Sequence, residues 1–113
     1  MIIANTFSLN MLPPNIGHKG VVISATPLSM EDARQVVASA ESLYSCVGHA
    51  DTAALFTHLL GRQIDYNRAT IALTPGSELL VGQYVGPRLP EGCTELPKDA
   101  TVLWWLVRVL DSA

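Results

Sequence analysis

Residues 46–56, CVGHADTAALF, place a histidine behind a glycine and just ahead of an amphipathic helical run. The first turn of a helix presents unpaired N–H groups and the positive end of the dipole, which together favour anions. That end disfavours an imidazolium, and an arriving phosphate favours it, so His49 is a candidate acid that a phosphate would switch on. The plainer alternative is a histidine exposed at a helix start. His49 and His58 are nine residues apart, which at about 100° per residue points them to opposite sides of a helix. They are therefore not a zinc pair, and there is no HExxH, paired carboxylate or Cys/His cluster. A metal enzyme is not expected.

A second group is carried by YNRATI and QYVGPRLPEG. If these segments form a hairpin, Arg68 before its first strand and Arg88 after its second converge. Two guanidiniums, with Gln83 in the adjoining strand, could grip phosphate oxygens through forked donors. The competing reading makes Arg68, Arg88 and Glu91 a surface ion-pair set of small energetic value. A third group, Asn5, Ser8 and Asn10, suits either a strand end that hydrogen-bonds a ligand or a simple turn. Trp104 and Trp105 should alternate faces of the last strand, one in the core and one over a helix or subunit contact.

These residues need elements to hold them. A chain of 113 residues, 49% apolar, can build one core. Its charged fraction of 15% is low, which suggests that a partner or second copy covers some surface. With a net charge of −3 and seven Lys and Arg residues, the chain has no overall pull on nucleic acid, and DNA binding is not expected. Two cysteines without a CxxC read as free thiols in a reducing cytosol. The amino-terminal stretch does not resemble a signal peptide, and VLWWLV is far too short to span a bilayer. A soluble, cytoplasmic protein is expected.

IIANTF (2–7) and KGVVISATPL (19–28) read as strands, separated by a turn region at 13–17. Ser29 and Asp32 form a capping-box pattern, and Met30, Ala33, Val36, Val37, Ala40, Leu43 and Tyr44 follow at helical spacing. That predicts a helix of about four turns. A shorter helix is predicted from Asp51 to Leu60, stopping at Gly61. ATIALT, Pro75-Gly76 and ELLVGQYV suggest a hairpin, and TVLWWLVRVL a final strand. The expected fold is α/β in the order ββααβββ: one domain over 1–113, with helices on a mixed five-stranded sheet.

Taken together, IANTFSLNML, VGHADTAALF, LG followed by YNR, and PGSELLVGQYVGPRLPEG resemble the viral ring nuclease family. Its members act as anti-CRISPR proteins against type III systems, and bacterial relatives act as host ring nucleases. The resemblance spans about residues 2–110. Thr6 and Cys93 stand where the family pattern has alanine, and neither replaces a residue assigned to chemistry.

The resemblance implies a homodimer that binds cyclic tetraadenylate across its two-fold interface and cleaves it without metal or cofactor. The products would be linear adenylates ending in 2′,3′-cyclic phosphate. Since the substrate's own 2′-hydroxyl is the nucleophile, the protein need only align it, stabilise charge and protonate the leaving oxygen. His49 is then the general acid and Arg88 the charge stabiliser, while Glu91 orients Arg88 or accepts from the ribose hydroxyl. Asn5, Ser8, Asn10, Thr52, Arg68 and Gln83 would hold phosphates, riboses or adenine edges. If the gene is viral, the site of action is the host cytoplasm. A non-catalytic sponge for the cyclic nucleotide would need the arginines and the Asn5–Asn10 segment but not His49. A small regulatory dimer is a third reading.

Overall fold

The computed structural model describes residues 1–12 and 20–110; the turn region expected at 13–17 lies outside them. Five strands, β1 (Ile2–Ala4), β2 (Val22–Leu28), β3 (Tyr44–Cys46), β4 (Glu78–Val85) and β5 (Thr101–Leu110), form one sheet. Their order is β2-β5-β4-β1-β3. β1 runs parallel to β3 and β4, and β5 runs antiparallel to β4 and β2, so the sheet is mixed. Helices α1 (Met30–Ser39) and α2 (Ala50–Leu60) accompany it, with a 3-10 turn at Leu9–Met11. The α/β class, the strand number and the two helices are as expected.

The order of elements is not. The chain runs ββαβαββ, because the third strand is Tyr44–Cys46 and not ATIALT. Leu43 and Tyr44 continue the helical spacing of α1, yet the helix stops at Ser39. Arg62, from beyond α2, donates Nη1 to the carbonyls of Val37 and Ala40 at 2.8 and 2.7 Å. The Ala40 carbonyl thereby gains a partner, the Val37 carbonyl, which already accepts from Ala40 N–H at 3.3 Å, gains a second, and the chain is free to leave the helix. Arg34 of α1 returns the service, donating Nε to the Leu59 carbonyl near the end of α2 at 2.8 Å.

The expected hairpin is absent as well. Ile71 and Leu73 are packed inward, but Leu73 N–H donates to the Met11 carbonyl at 2.7 Å and joins no ladder. Gly76, with φ +90°, instead turns an irregular segment into β4.

The sheet carries two core layers. Beneath the helices, Ile3, Leu80, Val102 and Trp104 meet Ala33, Val37, Ala53, Phe56 and Leu60. Here Gly82 is required: a Cβ would lie 2.5 Å from Trp104 Cζ3 and 2.8 Å from Phe56 Cζ. The Phe56 and Trp104 rings pack with centroids 4.9 Å apart. On the other face Ala4, Cys46, Leu79, Val81, Val107 and Val109 are covered by Phe7, Met11, Ile71 and Leu73. Burial along β5 changes sides midway: Val102 and Trp104 lie under helices, Val107 and Val109 under the loop segments.

Trp105 faces opposite Trp104 and is 39% exposed, beside exposed Ile23, Val85 and Leu103. By strand alternation these four share the face away from the helices.

Candidate functional site

Because β1, β3 and β4 are parallel, their carboxyl ends lie along one edge of the sheet. Ligands of open α/β sheets bind beyond such ends. Asn5 follows β1, Gly48 and His49 follow β3, and Arg88 follows β4.

His49 is the N-cap of α2, extended at φ −134° and ψ 128°, exposed, and makes no side-chain capping hydrogen bond. The first-turn N–H groups therefore have no side-chain acceptor from the cap. Just before it, Gly48 N–H donates to Asn5 Oδ1 at 3.2 Å. Asn5 thus anchors the approach to the helix, a role beyond the ligand contact expected of it. Thr52 is half-buried in the first turn.

Arg68 arrives from the β3 side. Tyr66 bridges to Val47, and Asn67 N–H donates to the Val47 carbonyl at 2.9 Å. Asn67 Nδ2 adds a bond to the Ser45 carbonyl at 2.8 Å. Thus fastened, the segment lays Arg68 beside Gly48, where a Cβ would lie 3.6 Å from Arg68 Cγ. Arg88 arrives from the loop after β4. With Leu89, Pro90 and Glu91 it faces Ala50 and Asp51 across an open cleft of about 640 Å³. The two arginines approach α2 from different sides, not from one hairpin mouth as the sequence suggested.

The other arginines of the described residues are all partnered. Arg34 and Arg62 bond helix carbonyls, and Arg108 pairs with Glu78 at 2.9 Å. Among the described residues Arg68 and Arg88 have no hydrogen bond or ion pair, with Glu91 or any other group. The expected surface ion-pair set is not formed there. Exposed guanidiniums beside an uncapped helix start leave forked donors available to an anion.

Three expected residues make their contacts elsewhere among the described residues. Ser8 and Asn10, in the exposed 3-10 turn, hydrogen-bond each other. Gln83 lines a separate cleft of about 280 Å³ with Thr6, Phe7, Ile23 and Trp105, on the sheet face away from the helices. Asp51 and Tyr84 were given no role by their types, yet they tie down the loop that carries Arg88. A first-turn acid and a Tyr-x-Gly-Pro turn were the available signals.

Both cysteines are free thiols. Burial pushes the Cys46 thiol up, so it stays protonated near neutrality and is a poor nucleophile. Among the described residues no three His, Cys, Asp or Glu side chains gather as a metal site would require. No described helix is long and apolar enough to cross a membrane.

The model of the STIV B116-like family matches residues 1–101, from β1 to the first residue of β5. This chain belongs to the STIV B116-like family. The same fold is found in B116 of Sulfolobus turreted icosahedral virus, at 24% identity and a TM-score of 0.74. That match covers 95% of this chain and 97% of the viral one. No curated protein matches. Family membership thus ties the fold to a protein of viral origin, and every element flanking the α2 start lies inside the matched span.

Proposed function

We propose that this member of the STIV B116-like family is a metal-independent ring nuclease acting on cyclic tetraadenylate. The observation that carries the reading is an uncapped, histidine-led helix start flanked by Arg68 and Arg88, neither partnered among the described residues.

In the reaction the ribose 2′-oxygen attacks phosphorus, and the bond from phosphorus to the 5′-oxygen breaks. Phosphorus keeps both remaining ribose oxygens as a 2′,3′-cyclic phosphate. Arg88, with Arg68 beside Gly48, offsets charge as the phosphorane forms. His49 gives its proton to the departing 5′-oxygen, a role typically contributing on the order of 10²–10⁴ in rate. Glu91 lies in the cleft with Arg88 and either takes the 2′-hydroxyl proton or steers that guanidinium while solvent water takes the proton. Thr52, Asn5, Ser8, Asn10 and Gln83 are assigned to ligand recognition.

The reading needs a two-fold dimer, and one sheet face suits it. Ile23, Val85, Leu103 and Trp105 are between 37% and 45% exposed on one sheet face. The strand residues of that face include no charged side chain. A second copy is a suitable cover for such a surface. Gln83 and Thr6, in the cleft on this face, would then bring its polar groups to a ligand lying between copies. Closing type III CRISPR signalling is the biological consequence assigned to the activity, in the host cytoplasm if the gene is viral.

The test is incubation of purified protein with radiolabelled cyclic tetraadenylate in EDTA. Linear product ending in cyclic phosphate is expected. Intact ring that co-elutes with protein would replace the enzyme by a sponge, and free intact ring would remove both.

A further inference from the structure

The loop between β4 and β5 leaves the sheet under unusual constraint. Tyr84 Oη donates to the Pro87 carbonyl at 2.5 Å, closing the turn that leads to Arg88. Gly86 takes φ +155°, and a Cβ there would lie 2.6 Å from Ala100 Cβ and 2.8 Å from Ala100 Cα. The turn is thus pressed against the chain about to enter β5. At the far end, Gly92 N–H reaches Asp51 Oδ1 at 3.5 Å, in the first turn of α2. Between these anchors Pro87 and Pro90 fix their own backbone angles, and Cys93 N–H donates to the Pro90 carbonyl at 3.1 Å.

We propose that Tyr84 and Asp51 are positioning residues: a two-point clamp holding Arg88 and Glu91 of the 86–92 loop against the start of α2. The role of the clamp in cleavage rests on the ring nuclease reading; the clamp itself does not. Tyr84 acts through the Pro87 carbonyl, one residue before Arg88, and Asp51 through Gly92, one residue after Glu91. A looser loop would leave both side chains present but misplaced, and small misplacements of charge-stabilising groups are costly.

An acid in the first helical turn is also favoured by the dipole alone, so the substitutions must separate hydrogen bonding from charge. Asp51→Asn keeps an acceptor for Gly92 and loses the charge, Asp51→Ala loses both, and Tyr84→Phe loses only the hydroxyl. Two measurements follow on the full-length protein. The first is amide exchange across 88–92 without ligand, expected to quicken about tenfold in Tyr84→Phe and Asp51→Ala but not in Asp51→Asn. Unchanged exchange in the first two, or equal loss in Asn and Ala, overturns the clamp whether or not the protein cleaves anything.

The second is a double-mutant cycle with Arg88→Ala, reading single-turnover cleavage of cyclic tetraadenylate. Tyr84→Phe should slow cleavage about tenfold in the parental background and less than about twofold once Arg88 is gone. Equal slowing in both backgrounds would make Tyr84 merely structural and overturn its positioning role. In a protein that binds the ring without cutting it, the same cycle is read on affinity. If the ring neither binds nor is cut, the ring nuclease reading fails and the exchange data decide the clamp.

Discussion

The two α-helices among the described residues begin in opposite ways. At α1, Ser29 Oγ accepts from Asp32 N–H at 3.0 Å, and the Asp32 carboxylate accepts from Ser29 N–H at 3.4 Å. Glu31 and Asp32 add negative charge to that first turn. The box closes on itself, so α1 offers little to an outside anion. At α2 the cap is His49, which accepts nothing from the helix through its side chain. Asp51, the acid of that turn, reaches outward to Gly92 of another loop. Asn5, also from outside, takes the Gly48 N–H. Histidine is a poor substitute for Ser, Thr, Asp or Asn at an N-cap. One helix start is therefore arranged for local stability, while the other leaves its donors open among cationic side chains.

If that contrast marks function, damage at the two starts should separate rate from stability. His49→Ala should show the largest effect, slowing single-turnover cleavage of cyclic tetraadenylate at least about 100-fold while affinity changes little. A variant cutting at the parental rate would take His49 out of the mechanism. Arg88→Ala should slow cleavage roughly 10- to 100-fold, below the loss typical of a buried oxyanion donor because Arg88 is exposed, and should also weaken binding. Unchanged kinetics would leave Arg88 a surface cation with no part in the site. At the other helix, Ser29→Ala should cost about 1 kcal/mol in urea unfolding and leave cleavage unaltered. A loss of cleavage there would show that the two helix starts are not functionally distinct.

The same contrast marks what the sequence disclosed. The capping box of α1, the Gly61 stop of α2 at φ +71°, and the opposed faces of Trp104 and Trp105 are local patterns, and all are present. β3 was hidden because Leu43 and Tyr44 keep helical spacing, whereas the stop of α1 depends on Arg62, distant in sequence. ATIALT alternates as a strand does, and Leu73 is buried as a strand residue would be. Its partner is Met11 of a loop, though, and periodicity reports burial without reporting pairing. Residue types pointed to His49 and the two arginines; the structure sets Arg68 beside Gly48 and Arg88 across a cleft from Ala50 and Asp51. Gln83, Ser8 and Asn10 were harder to place, since their surroundings come from strand order and from a turn. Contacts such as Asn5 to Gly48 join segments that only the folded sheet brings together.

The smallest expected change in stability discriminates most sharply. His49→Ser would give α2 the kind of hydroxyl cap that α1 already has, in a residue whose backbone is already extended as an N-cap requires. Its oxygen can accept from a first-turn N–H that the imidazole leaves without a side-chain acceptor. Stability should therefore rise, by about 0.5 kcal/mol, the lower end of the N-cap range because water already serves an exposed helix start. Cleavage should fall as far as in His49→Ala, since a serine hydroxyl cannot supply the proton at neutral pH. Chemical denaturation and single-turnover assays on the same preparation would measure both. A gain in stability with loss of cleavage would mean the histidine is kept at a structural cost. A loss of stability would mean that the imidazole is already a good cap and that the two helix starts differ less than their hydrogen bonds indicate.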